Sequence, residues 1–145
     1  HEMLYIAELS RADCMLALAG NDFGDLADVA VILERLLDLP NLPLDFQAEA
    51  AQKWAFALIK SGSNEKAKEV LWLSVDRFIG DGEKAVALGA AGRYWLARSM
   101  LQLGEIFEKQ DNLAEARKVY RQVIAYNLPG RHIAISRVDQ ILELE

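Results

Sequence analysis

The chain has 145 residues, enough for one domain with a real core, and 52% of them are hydrophobic. Its formal net charge of -6 argues against a nucleic-acid surface, because neutralising phosphates takes clustered cations. Cys14 is the only cysteine, which excludes an internal disulfide and a cysteine metal cluster, and the longest uncharged stretches, such as 85–92, are too short to span a bilayer.

Only three prolines occur, and β-branched residues never gather into alternating runs, so the chain reads as helical throughout. Turn signals divide it into seven predicted helices. The first covers 2–19, with Cys14 expected in its packed core, and ends at Gly20-Asn21-Asp22-Phe23-Gly24. The second, 25–38, stops before Pro40-Asn41-Leu42-Pro43, where two prolines forbid a continuous helix. Helices 45–60 and 64–79 flank Ser61-Gly62-Ser63-Asn64, a stop followed by a cap. In 64–79 an apolar stripe runs through Ala67, Val70, Leu71, Ser74, Val75, Phe78 and Ile79.

After Gly80-Asp81-Gly82, the segment 83–109 reads either as one helix of roughly 40 Å at about 1.5 Å per residue or as two pieces broken near Gly89–Gly92. Helix 112–126 carries its stripe on Leu113, Ala116, Val119, Tyr120, Val123 and Ile124, with Asn112 and Glu115 in a capping-box pattern. Helix 130–144 should close the array, with Ile135, Val138 and Ile141 or Leu142 facing inward. Charge is uneven along this string. Residues 1–50 carry ten acidic and two basic side chains, a balance of -8, whereas 51–145 carry twelve and fourteen, a balance of +2.

No reactive constellation stands out. His132 near a helix start reads as a surface residue, and no histidine pair sits one turn apart to hold zinc. Gly89-Ala90-Ala91-Gly92 lies in a helical pattern with no strand before it, so it reads as close helix packing and not as a phosphate cradle. Glu105 and Glu108 could imitate a carboxylate pair, but solvated helix faces carry such pairs routinely. Trp54, Trp72 and Trp95 read first as packing residues, and as anchors for a partner if exposed. The expectation is therefore no enzyme, no cofactor and no metal.

Two loops match. Lys60–Ala67 and Lys109–Ala116 share their lysine and their alanine, and Ala19–Ala27 is a fainter copy. Residues 97–130 resemble a tetratricopeptide repeat (TPR), on Leu103-Gly104 and Phe107 of the first helix and on Ala116, Tyr120 and Pro129 of the second. Residues 48–81 resemble a more degenerate copy through Trp54-Ala55, Leu58, Ala67 and Leu71, and 8–40 a weaker one through Leu18, Ala27 and Pro40. Ala27, Ala67 and Ala116 are 40 and 49 residues apart, against a family period of 34, with the extra length mainly in 83–109.

The resemblance implies an all-α fold, a right-handed α-α superhelix of antiparallel helix pairs over residues 1–145, with 130–144 as a capping helix. It also implies a concave partner-binding groove lined by Glu49, Gln52, Phe56 and Lys60 from one repeat and Arg98, Leu101, Glu105 and Lys109 from the next. Phe56 and Glu105 stand where family members that clamp a terminal carboxylate carry asparagine, so such a clamp is not expected. The implied function is a protein-interaction scaffold holding a peptide or helix of another protein. The alternatives are a ligand- or peptide-sensing domain of a bacterial regulator and an accessory region of an enzyme. Truncated solenoid ends could also self-associate. The opening His1-Glu2-Met3 reads as a piece cut from a longer protein, and the lone cysteine fits the cytoplasm while remaining compatible with the periplasm.

Overall fold

The computed structural model describes residues 2–144, and among them every regular element is a helix. Eight occur: α1 (Glu2–Ala19), α2 (Phe23–Leu37), α3 (Leu44–Lys60), α4 (Asn64–Gly80), α5 (Gly82–Ala87), α6 (Ala90–Lys109), α7 (Leu113–Ala125) and α8 (Arg131–Leu144). None is long and apolar enough to cross a membrane. Short turns fold consecutive helices back on one another, so α1 packs on α2, α3 on α4, α6 on α7 and α7 on α8. Between these pairs, α3 packs on both α2 and α6, and α4 packs on α6.

The eighth helix arises because 83–109 is broken. Asp81 caps α5, its side chain accepting from the Glu83 N–H at 3.2 Å. Past the end of α5, the backbone N–H groups of Gly89 and Gly92 donate to Asp45 on the first turn of α3, at 3.0 and 2.9 Å. One carboxylate borrowed from another helix thus satisfies two orphan donors at the start of α6. The glycines make room for it, since a Cβ on Gly92 would lie 2.6 Å from the Asp45 carboxyl carbon. What reads as helix packing in Gly89-Ala90-Ala91-Gly92 is an anion site already filled by the chain's own carboxylate.

The two matched loops close alike. Ser63 N–H donates to Leu58 O at 2.8 Å, and Asn112 N–H donates to Phe107 O at 2.9 Å. In each, the residue before the donor adopts positive φ, Gly62 at 84° and Asp111 at 58°. Asn112 then caps α7, as its pairing with Glu115 predicts. Ala67 and Ala116, four residues past each closing donor, are fully buried. The α1–α2 turn breaks this pattern. Asp22 caps α2 directly, Leu26 faces the core, and Ala27 is exposed. Leu18 is 87% exposed, so Leu18 and Ala27, two of the three residues that carry the resemblance over 8–40, lie on the surface.

Two apolar clusters form the interior. One, from α1 and α2, contains Leu9, Leu16, Leu26, Val29 and Leu33; the other, from α3 to α8, contains Phe78, Leu96, Met100, Leu103 and Tyr120. Each fully buried large side chain contributes about 1.5–3 kcal/mol. Helix α3 is their common wall: Ala50 and Ala57 face the first, Ala48 and Ala55 face the second, and Trp54 touches both. Alanine on two faces lets neighbours approach from both sides. On α8, Val138 and Ile141 are buried as expected, whereas Ala134 takes the inward place expected of Ile135, which is exposed together with Leu142. Cys14 is exposed, on the side of α1 opposite Leu9, Ala12 and Leu16, and is not a core residue.

Candidate functional site

Helices α3 and α6 lie side by side, and three depressions follow the face they form with α1 and α8. The first is lined by Asp13, Lys53, Phe56, Tyr94, Trp95 and Arg98. The second shares Phe56 with it and adds Gln102, Glu105 and Lys109. The third shares Glu105 and Lys109 with the second and ends at Leu101, Ile133 and Arg137.

Of the residues expected to line a groove, Phe56, Arg98, Leu101, Glu105 and Lys109 border this line of depressions with side chains at least partly open. Lys60 lies beside them, its ammonium 5.4 Å from the centre of the Phe56 ring. Gln52 is only 3% exposed, its amide donating to Gln102 Oε1 at 3.2 Å, so it cross-links α3 to α6 beneath the surface. Glu49 is bound to Lys53 and is not a free groove wall.

Sequence reasoning missed the centre of the first depression. The Lys53 side chain is 6% exposed, and burying a lone ammonium would cost several kcal/mol. It is held by Glu49 one turn earlier and by Asp13 of α1 at 2.7 Å, and it lies 4.9 Å from the Trp95 ring centre. Trp95 in turn meets Tyr94 edge-on, with centroids 5.0 Å apart. The i,i+4 spacing of Glu49 and Lys53 was visible in the sequence, but the burial that turns a surface pair into a floor was not.

Glu105 and Lys109 form an exposed ion pair at 3.2 Å, worth about 0–1 kcal/mol. Glu108, one turn along, is structural. Tyr120 Oη donates to Glu108 Oε2 at 2.5 Å, Arg137 Nε donates to the same oxygen at 3.1 Å, and Arg137 Nη2 binds Oε1. Helix α8 is thereby clipped to α6 and α7. Burial pushes the Glu108 carboxyl up, but the hydrogen bonds from Arg137 and Tyr120, with the Arg137 charge, together hold it below its ordinary 4.5. Burial, then Glu108, pushes the Tyr120 phenol up.

Compared with protein-family models, with curated proteins and with solved structures, the chain gives no match. Trp72 is exposed beside Phe107 on a different depression, lined by α4, and Trp54 is half-buried between the two cores. His132 is exposed on the first turn of α8.

A lowered carboxyl pKa has a definite sign. Glu108 contributes stability at pH values above its unfolded value, and that contribution is lost as pH falls below 4.5 through the folded value. Glu108→Gln should cost on the order of 1–3 kcal/mol at pH 7 and flatten the acid limb below pH 4.5, read by urea titration. A variant whose stability falls with acid as steeply as the wild type would show that this carboxylate is not the titrating group.

Proposed function

We propose that the chain is a TPR-like scaffold that holds a peptide or helix of another protein along the α3–α6 face, and that it is not itself an enzyme. The single observation that carries this reading is the continuous line of depressions, in which Phe56, Tyr94 and Arg98 stand open beside a rigid buried floor. The two loops that close alike, and the two buried alanines that follow them, support the repeat resemblance. In a superhelix of this kind the face would be the concave one. Exposed apolar side chains at both ends, Met3, Leu4 and Leu18 on α1 and Leu142 and Leu144 on α8, would support self-association as a secondary property.

The test compares wild type with Phe56→Ala/Arg98→Glu in affinity capture from cell extract, with mass spectrometry on both. The double variant should lose the captured protein and, with Phe56 36% exposed, melt only a few degrees below the wild type. A large fall in melting temperature would make these residues core; equal capture by both proteins would remove the face from the binding reading.

A second reading, a ligand-sensing domain, rests on a separate cleft of about 190 Å³ between α2, α3 and α4. Trp54, Val70 and Phe78 form its apolar floor, and Lys66 and Arg77 stand at its rim. Binding of a small molecule there should raise the melting temperature with ligand concentration, and Ser74→Leu, which fills the cleft, should abolish that rise.

A further inference from the structure

The charges along the α3–α6 face are paired in an uneven way. Lys53 is held by Asp13 and Glu49, Lys109 pairs with Glu105, and Arg137 with Glu108. Lys60 and Arg98 have no carboxylate within ion-pair distance among the described residues. Each lies instead beside an exposed ring, Lys60 5.4 Å from the centre of Phe56 and Arg98 5.8 Å from that of Tyr94. Acidic partners are not scarce, since the chain carries 22 acidic and 16 basic side chains. Asp13 lines the same depression as Arg98, yet its carboxylate turns to Lys53. Arg98 Nη1 also donates to the Tyr94 hydroxyl at 3.4 Å, so an acidic protein keeps on one face two cations that no carboxylate neutralises, interleaved with open aromatic surface.

We infer that the occupant of this face is an acidic amphipathic segment, with carboxylate side chains for Lys60 and Arg98 and an aromatic or aliphatic side chain for the depression between Phe56 and Trp95. The inference rests on the groove reading above and gives it a chemistry. Carboxylates would complete the two cations without displacing the rings beneath them, since a cation over a ring keeps its other side free. An apolar side chain would cover Phe56, Tyr94 and Trp95, the three rings that line this depression. A basic segment would face like charge at Lys60 and Arg98, which sets the selectivity.

The experiment is selection from a randomised dodecapeptide library displayed on phage, against the full chain, Phe56→Ala and Lys60→Glu/Arg98→Glu, with folding checked by circular dichroism. Lys60→Gln/Arg98→Gln serves as a second pair should the reversed charges disturb the fold. Wild type should enrich peptides with two or more Asp or Glu beside Phe, Trp or Leu. Charge reversal should weaken those peptides by about tenfold or more, two rim pairs at up to about 1 kcal/mol each, and should select basic peptides in their place. Peptides lost with Phe56→Ala but lacking acidic residues, or acidic peptides indifferent to the charge changes, would overturn the inference and leave the groove standing. Failure to select any peptide that depends on Phe56 would sink both.

Discussion

Removing both counter-charges of Lys53, by Asp13→Ala together with Glu49→Ala, is expected to destabilise the chain by about 3–5 kcal/mol. The ammonium is almost fully buried and held by those two carboxylates. Left with the Trp95 face alone, it would keep only about 1–2 kcal/mol of attraction against a larger desolvation cost. Lys53→Met in the same background should recover most of the loss, because the thioether fills the same space and carries no charge. The two changes together separate the cost of a stranded charge from the value of the packing. Urea titration at pH 7 reads both. A double variant within about 1 kcal/mol of wild type would mean that the ammonium reaches water, and that the floor of the first depression is wet.

Gly104→Val should cost about 3 kcal/mol, and lower the melting temperature by roughly 10 °C, through the collision of one methine with a ring. A Cβ at position 104 would lie 2.4 and 2.5 Å from two carbons of the Tyr120 ring. The ring cannot step aside easily. Tyr120 is 2% exposed, and its hydroxyl is tied to Glu108, which is tied to Arg137. Any helix-propensity gain over glycine is a few tenths of a kcal/mol for valine and cannot offset this. The companion change Tyr120→Leu should relieve part of the clash, so the two losses should not add. Strict additivity would mean that the helices part instead of the ring yielding, and that the α6–α7 contact is softer than its geometry implies.

The helices were legible from residues 64–79 and 112–126 because their apolar stripes have the helical period; Asn112 also caps the second, whereas the cap expected at the start of the first makes no side-chain hydrogen bond. Buried Ala67 and Ala116 follow turns whose glycine or aspartate takes positive φ, which is local chemistry that a sequence displays openly. The break between α5 and α6 was only half legible. Two glycines marked the place, but the cause is a carboxylate 44 residues earlier in the chain, and nothing local in 83–109 announces it. Leu18, Ala27 and Cys14 misled for a related reason. Apolar and small residues lie on every side of α1, so periodicity could not say which side faces α2. In the site, Phe56 and Arg98 could be placed from the repeat resemblance, whereas Gln52 could not. Whether a glutamine on a helix face meets water or another glutamine depends on how closely the next helix approaches.

That α3 serves as the wall of both cores has a kinetic consequence. Its backbone amides lie between two apolar clusters, so they can exchange with solvent only when both clusters open together. Helix α1 is held differently: it packs on α2, meets α3 lightly through the Tyr5–Phe46 ring pair, and is pinned there by the Asp13–Lys53 ion pair. Deuterium uptake should therefore begin at α1 and reach α3 last, and a segment bound across α3 and α6 would sit on the slowest-breathing part of the molecule while the outer helix frays beside it.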